Sequence, residues 1–433
     1  MFDVSLLFLV PSMKPSHILS LALAFAALLT PATSHAQEAR WWKGNLHTHS
    51  LWSDGDGYPE MIADWYKQHG YNFLMLSDHN LMQTGDRWLV ATNKGGGKVL
   101  EEYVARFGKD WVEQRTKNDL PEVRLKTLAE FGPKFEEPGR FLFIPGEELT
   151  DKYKLAPVHM GAVNLREVIK PQGGDSVLEV IQRNVDAVYA QRKATGQPMF
   201  PHINHPNFRW GITAEELMPV KGLQFFEVYN GHPQVFNEGD KLHAGLEKVW
   251  DISLTHRLTD LKLGVLYGLA TDDSHNYHTI AVGKSNSGRG WVMVRSKDLS
   301  RDSLVAAMEA GDFYASSGVT LKDLKAEGSK LSVEVDPEPG IEYTIDFIGT
   351  RRNFDPKSEP VRTANGDALR VTHQYSDDIG QILVSIKGNK AYYQLRGDEI
   401  YVRARITSTK LKTNPYREGE FEQAWTQPLV NPK

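Results

Sequence analysis

Hydrophobic positions along this 433-residue chain fall into short blocks rather than long ones. Strand-sized runs occupy residues 42–47, 72–77 (NFLMLS), 140–145 (RFLFIP), 159–165 (HMGAVNL), 198–204 (PMFPHIN), 222–229 (GLQFFEVY), 264–271 (GVLYGLAT) and 290–295. Continuous apolar runs of this length, without in/out alternation, read as parallel strands covered on both faces. Between them the periodicity turns helical. Residues 59–69 start with proline and stop at Gly70, 176–195 carry apolar residues at helical spacing and stop at Gly196, and 300–310 open with serine and stop at Gly311. Strands alternating with helices predict an α/β sheet or barrel.

After Val319 the texture changes. Residues 330–335 (KLSVEV), 342–347 (EYTIDF), 369–372 (LRVT), 381–386 (QILVSI) and 399–407 (EIYVRARIT) read as antiparallel strands separated by Pro, Gly and Asp turns. They predict a small β-sandwich over 320–433. Residues 81–140, broken by Gly95-Gly96-Gly97, form a charged, mostly helical insertion of the kind that shapes a pocket rim. At the start, Lys14, the apolar run 18–29 and Ser34-His35-Ala36 before Gln37 read as a signal peptide over 1–36. No later run reaches about 18 apolar residues, so a mature chain without a membrane anchor, periplasmic or secreted, is expected. The α/β part then spans 37–319.

Composition narrows the chemistry. Forty per cent hydrophobic and 24% charged residues suit a globular protein, and a net charge of −5 gives no basic footprint for a nucleic-acid partner. With no cysteine, thiolate metal sites, iron–sulfur clusters and cysteine nucleophiles are excluded. Any metal must sit on imidazole and carboxylate, which suits Zn, Mn or Fe(II).

Such side chains follow the apolar runs one after another. His47 and His49 close the first, with Asp54 just beyond; Asp78 and His79 close the second; Glu147 and Glu148 the third. His202 and His205 flank the end of another, Glu227 and His232 follow the next, and Asp273 and His275 the last. In a parallel barrel the C-terminal strand ends converge on one face, so residues far apart in sequence would meet. In His-X-His and Asp-X-His, positions i and i+2 of an extended segment point the same way and can reach one ion. Asp78 and His79 cannot both do so, which makes His79 the ligand and Asp78 its support.

The ordered set His47-Thr48-His49, Ser53-Asp54-Gly55, Ser77-Asp78-His79-Asn80, Pro145-Gly146-Glu147-Glu148, Asn204-His205-Pro206 and Asp273-Ser274-His275 resembles the motifs of the PHP (polymerase and histidinol phosphatase) phosphoesterase family, over about Gly44 to His275. The segments GWVMV at 290–294 and GDFYASSG at 311–318 resemble its exported members. The resemblance implies a distorted (β/α)7 barrel holding two or three divalent ions that hydrolyses phosphate mono- or diesters through a metal-bridging hydroxide. By position, His47, His49, Glu148 and Asp273 would hold one ion. Glu148, His159 and His205 would hold a second, and Asp54, His79 and His275 a third. Asp54 stands where some relatives have histidine. His159 begins its apolar run instead of ending it, which leaves His202 in reserve for that place.

For the leaving group and phosphate the sequence offers His232 as proton donor and Arg209 and Arg289 as phosphate grips on a small phosphorylated substrate. Two other readings stand beside this one. An amidohydrolase-type enzyme acting on non-phosphate substrates would bring a bridging lysine and a lone Asp at its last strand. A non-catalytic metal-containing binding protein of the cell envelope would keep the ions for structure.

Overall fold

The eight predicted apolar runs each contribute a strand, and two further strands, β4 and β10, join them in chain order: β1 (Arg40–Asn45), β2 (Phe73–Leu74), β3 (Leu142–Phe143), β4 (Gly146–Tyr153), β5 (Ala156–Val163), β6 (Phe200–Ile203), β7 (Phe225–Asn230), β8 (Tyr267–Thr271), β9 (Trp291–Ser296) and β10 (Phe313–Ser316). The structure, a computed structural model, describes residues 38–92 and 94–432, so the expected signal peptide lies outside the described residues. Among those residues no helix is long and apolar enough to cross a membrane.

The architecture is mixed α/β, but the strands pair as two open sheets rather than one parallel barrel. In the first, β1 lies parallel to β2, and β2 to β3, while β9 pairs with β1 antiparallel. The second runs β8-β7-β6-β5-β4, with β6, β7 and β8 parallel and β5 antiparallel to both its neighbours. The reversal of β5 corrects the expectation of parallel strands, and its cause is local. Only Lys154 and Leu155 separate β4 from β5, with Lys154 in left-handed backbone (φ 54°). A two-residue hairpin admits only antiparallel pairing, because a parallel crossover needs a dozen residues or more. Trp42, Leu46, Phe73, Met75, Val163, Phe200, Phe225 and Leu269 from both sheets share one buried cluster. Two isolated parallel bridges, Thr48 with Ser274 and His79 with Glu148, join the sheets.

The helices stop where the sequence says they do. Pro59–Gln68 has its proline in the first turn. Ser176 accepts from the Glu179 amide (3.1 Å) to start Val177–Thr195, which ends on left-handed Gly196. Ser300 does the same for Arg301–Glu309. The insertion departs from its mostly helical expectation. Besides helices Lys98–Phe107 and Leu128–Phe135 it holds an antiparallel sheet of Arg87–Val90, Leu120–Leu125 and Gln114–Lys117. Asn118 and Asp119, both left-handed (φ 51° and 62°), make the tight turn that this hairpin needs.

The strands after Val319 do not stand apart. They are β11 (Leu321–Glu327), β12 (Lys330–Val335), β13 (Tyr343–Arg351), β14 (Gln381–Lys387), β15 (Lys390–Gln394), β16 (Glu399–Leu411) and β17 (Phe421–Thr426). The first sheet continues through them in the order β14-β13-β16-β17-β10-β9-β1-β2-β3. The small sheet β11-β12-β15 shares a core with it through Leu331, Val333, Tyr393, Phe347, Ala404 and Ile406. Residues 369–372, expected as a strand, form none. Helix Leu246–Leu258, which carries no apolar stripe, is covered on nearly every side.

That helix is tied to β16 by a buried ion pair. Arg403 donates to Asp251 from Nε (2.9 Å) and Nη2 (2.6 Å), Tyr401 adds its hydroxyl to the same carboxylate (2.7 Å), and Arg403 Nη1 reaches Glu247 (3.0 Å). Removing one partner would strand a buried charge. Asp251→Ala is therefore expected to cost about 3–5 kcal/mol in urea unfolding. A loss within 0.5 kcal/mol would contradict this role for the pair.

Candidate metal centre

The site is built where the two sheets meet. Beyond β1 the chain stays extended through His47-Thr48-His49, and His47 O accepts from the Asp273 amide (3.0 Å) while the His49 amide donates to Ser274 O (2.9 Å). Alternation then turns both imidazoles the same way. Beyond β2, Ser77 O accepts from the Glu148 amide (3.1 Å), which sets His79 beside Glu148. His205 and Asp273 follow the ends of β6 and β8 in left-handed backbone, φ 28° and 49°. Such conformations are strained for these residues and persist only where neighbours hold them. The His205 amide is held by Glu227 Oε2 (2.7 Å).

All nine residues proposed as ligands come together, in four overlapping groups whose donor atoms lie within 4.8 Å of one another. They are His47, His49 and Glu148; His47, His205 and Asp273; Glu148, His159 and His205; and His49, Asp54, His79 and His275. His47 Nε2 and His49 Nε2 are 3.1 Å apart and lie 3.2 and 3.3 Å from Asp273 Oδ1. Glu148 Oε1 is 3.3 Å from His47 Nε2, 3.3 Å from His159 Nδ1 and 3.2 Å from His205 Nε2. Asp54 lies 3.3 Å from His275 Nε2 and 3.5 Å from His79 Nε2. The reversal of β5 explains His159: in a strand running backwards, the early residues sit at the end where its neighbours finish.

The electrostatics follow from packing acids against imidazoles. Burial alone would raise Glu148, but His159, His79 and His47 hold its carboxyl well below the usual range. Asp273 behaves alike: burial raises it and His47, His49 and His275 overrule it. Burial would lower His79, yet Glu148 and Asp54 lift it to about 11. His49 goes the other way, to about 4, under burial and the neighbouring His275 and His79.

This donor set fits divalent ions. Buried Glu148 Oε2 and His159 Nδ1 have no hydrogen bond, although His79 Nδ1 is 2.7 Å from the former. Contacts this close without hydrogen-bond geometry are what lone pairs aimed at a shared point produce. Imidazole and carboxylate are the ligands of Zn, Mn and Fe(II).

Around the ligands stands a second layer that sequence reading only partly found. Glu227 Oε1 lies 2.7 Å from His47 Nδ1, so the ring presents Nε2 to the site. The same carboxylate accepts from Thr271 and Asn230, which orient it (2.7 and 2.8 Å). Asn204 donates to Glu148 Oε1 (2.9 Å). Asp78 takes the expected supporting part, accepting from Ser50, Ser53 and Gln83. Asp272 collects the amides of Gly288 and Gly290 (2.9 and 2.8 Å) and the Tyr66 hydroxyl (2.7 Å). The doubled acids Asp272-Asp273 and Glu147-Glu148 were the sequence signal, since alternation sends the two members of each pair to opposite sides. Glu147 points away to the Ile169 amide (2.6 Å), and burial lifts it to about 7.

The remaining candidates divide. His232 borders the site, its ring 5.6 Å from that of His275. Its Nδ1 accepts from the Gln234 amide (3.2 Å), and burial lowers it to about 4. At neutral pH it is an uncharged N–H donor rather than a ready acid. Arg209 is exposed at φ 51°, its guanidinium 5.4 Å from the Phe208 ring, and Phe208 packs on His159, His205 and His232. Arg289 is a correction. It is fully buried, and its guanidinium is spent on carbonyls of Gly231, Ala281, Lys284, Asn414 and Pro415, leaving nothing for a phosphate. His202, the reserve ligand, joins none of the groups. Its ring lies over Gly161, where a Cβ would come within 2.0 Å of Nε2.

No family model and no curated protein matches this chain. Among solved structures it is similar to a two-domain protein of Bacteroides vulgatus containing a predicted PHP-like metal-dependent phosphoesterase, with 14% identity, a TM-score of 0.39, and 88% of this chain and 93% of that one covered. It is also similar to a protein of Bifidobacterium adolescentis named as a candidate metal-dependent phosphoesterase, with 15% identity, a TM-score of 0.27, and 58% and 92% covered.

His202 generates a pH test. It is fully buried with both ring nitrogens unpartnered, and burial lowers it from 6.5 to about 4. The unfolded chain therefore binds a proton that the folded one refuses between those values, so stability falls as pH drops through that window. His202→Leu is expected to remove about 3 kcal/mol of the acid sensitivity of the metal-free protein. Urea midpoints at pH 4 and pH 7 measure it, and an unchanged difference would contradict it.

Proposed function

We propose that this protein is a metal-dependent phosphoesterase, hydrolysing phosphate mono- or diesters, and that it is exported. One observation carries the reading: the four donor groups overlap, with His47, His49, Glu148 and His205 each belonging to two. Shared ligands would suit two or three ions side by side, the arrangement of a two-metal phosphoryl-transfer centre. Divalent ions bound there would supply Lewis acidity and an activated water for attack at phosphorus.

The chain's own residues supply the rest. Glu227 fixes the His47 tautomer, and Asn204 and the bridge to His79 fix Glu148. Neutral His232 offers an N–H to a phosphate or leaving-group oxygen, and exposed Arg209 offers its fork beside Phe208. The lack of cysteine agrees with direct attack by water. The two bridges between sheets support a distorted barrel that closes only at the site, and the core shared by β11-β12-β15 with β13, β16 and β17 supports a sandwich-like C-terminal region. The run 18–29 and the small residues before Gln37 support export.

Metal analysis and a panel of phosphomonoesters and phosphodiesters, after loading with Mn, Zn or Fe(II), test this. The expected result is two or three ions per chain and turnover of at least one class. His47→Ala and Glu148→Ala should each lose about 10³-fold or more in kcat/KM while the circular dichroism spectrum is kept. Tight metal with no turnover of any ester would defeat the proposal.

A further inference from the structure

The insertion packs on the stretch of chain that carries Asp54. Leu51, Trp52 and Tyr58 share a core with Ala91, Tyr103, Val123 and Leu125. The Tyr58 ring stacks on Tyr103 with centroids 3.9 Å apart, and Trp52 Nε1 donates to Lys126 O (3.1 Å). The triple-glycine turn is fastened to the same stretch, because the Tyr58 hydroxyl donates to Gly95 O (2.6 Å). Gly95 and Gly97 take left-handed backbone, and a Cβ on Gly96 would lie 2.3 Å from Ala91 O. Only glycine permits a turn this tight against its own strand.

What this turn delivers is Lys94. Its ammonium donates to the backbone carbonyl of Asp54, whose carboxylate belongs to the group with His49, His79 and His275. Among the described residues no carboxylate lies within ion-pair distance of it and no second acceptor takes its other two protons. A lysine on a free loop would carry its charge into solvent, but here the turn keeps it on the rim of the site. On the other side of the cluster the Phe208 ring packs on His159 and His205, and exposed Arg209 lies against that ring.

We propose that Lys94 contacts the substrate, binding a non-bridging oxygen of the phosphoryl group at the Asp54–His275 end, and that it favours phosphomonoesters over diesters. The assignment rests on the phosphoesterase reading of the same site. An ammonium is a point charge, so it gains more from a dianionic monoester than from a monoanionic diester.

Wild type, Lys94→Gln and Lys94→Arg, all metal-loaded, are compared. Inorganic phosphate binding is read by calorimetry, and kcat and KM with p-nitrophenyl phosphate and bis(p-nitrophenyl) phosphate. Metal content and melting temperature should match wild type. K94Q is expected to weaken phosphate binding and raise the monoester KM about fivefold, with the diester KM moved less than about twofold and K94R restoring most of the loss. Wild type that fails to bind phosphate, K94Q that binds it equally well, or equal effects on both esters would overturn the assignment. Phosphate binding that depends on Lys94 without turnover of any ester would defeat the phosphoesterase reading and leave Lys94 in place.

Discussion

The constraint on which this structure turns is the burial of acids without permanent cations. Glu148 and Asp273 are enclosed, and among the described residues no lysine or arginine is paired to either. An isolated carboxylate taken out of water costs several kcal/mol, so each needs compensation from neighbours held in place. Six imidazoles and the Asn204 amide provide it. Their convergence requires strands ending at one level, left-handed kinks at His205 and Asp273, and a carboxylate behind His47. The left-handed backbone at His205 and Asp273 answers that demand.

Much of the centre was legible in the sequence because chemistry and pattern coincided. Most proposed ligands stood near the edge of an apolar run, and the spacing of His47/His49 fixed their common aim, whereas left-handed Asp273 parts from His275, which joins a different group. What could not be read was direction and company. His159 looked misplaced because nothing marked β5 as reversed except the short Lys154-Leu155 turn. Glu227 resembled any strand-end acid, since its bond to His47 joins positions 180 apart. Arg289 has the composition of a phosphate grip, but the carbonyls that absorb it come from segments as distant as Pro415.

The same limit shaped the reading of the fold. Helix Leu246–Leu258 is buried on nearly all sides, so it has no polar face to create a helical period. The insertion's charged texture concealed a sheet, whose exposed strands alternate weakly and whose signal is the Asn118-Asp119 turn. The last hundred residues read as a separate unit because their texture changes at Val319, while hydrogen bonding to β10 makes them an extension of the first sheet. Through Arg289 and Lys412 they also brace the loop after Asp273, with Lys412 donating to Arg289 O (2.9 Å).

The continuity of that sheet bears on how the molecule is made. β1, which leads into His47 and His49, reaches its far neighbours only through β9, β10 and finally β17. A ribosome releases β17 some 380 residues after β1, so the sheet's middle waits for nearly the whole polypeptide. The pairings of β1 with β9 (Arg40 opposite Ser296) and of β10 with β17 (Tyr314 opposite Thr426) are non-local, and non-local pairing slows folding. The loop after Asp273 therefore gains its brace from Lys412 and Asn414 only when synthesis is almost complete, long after the last ligand, His275, has been made.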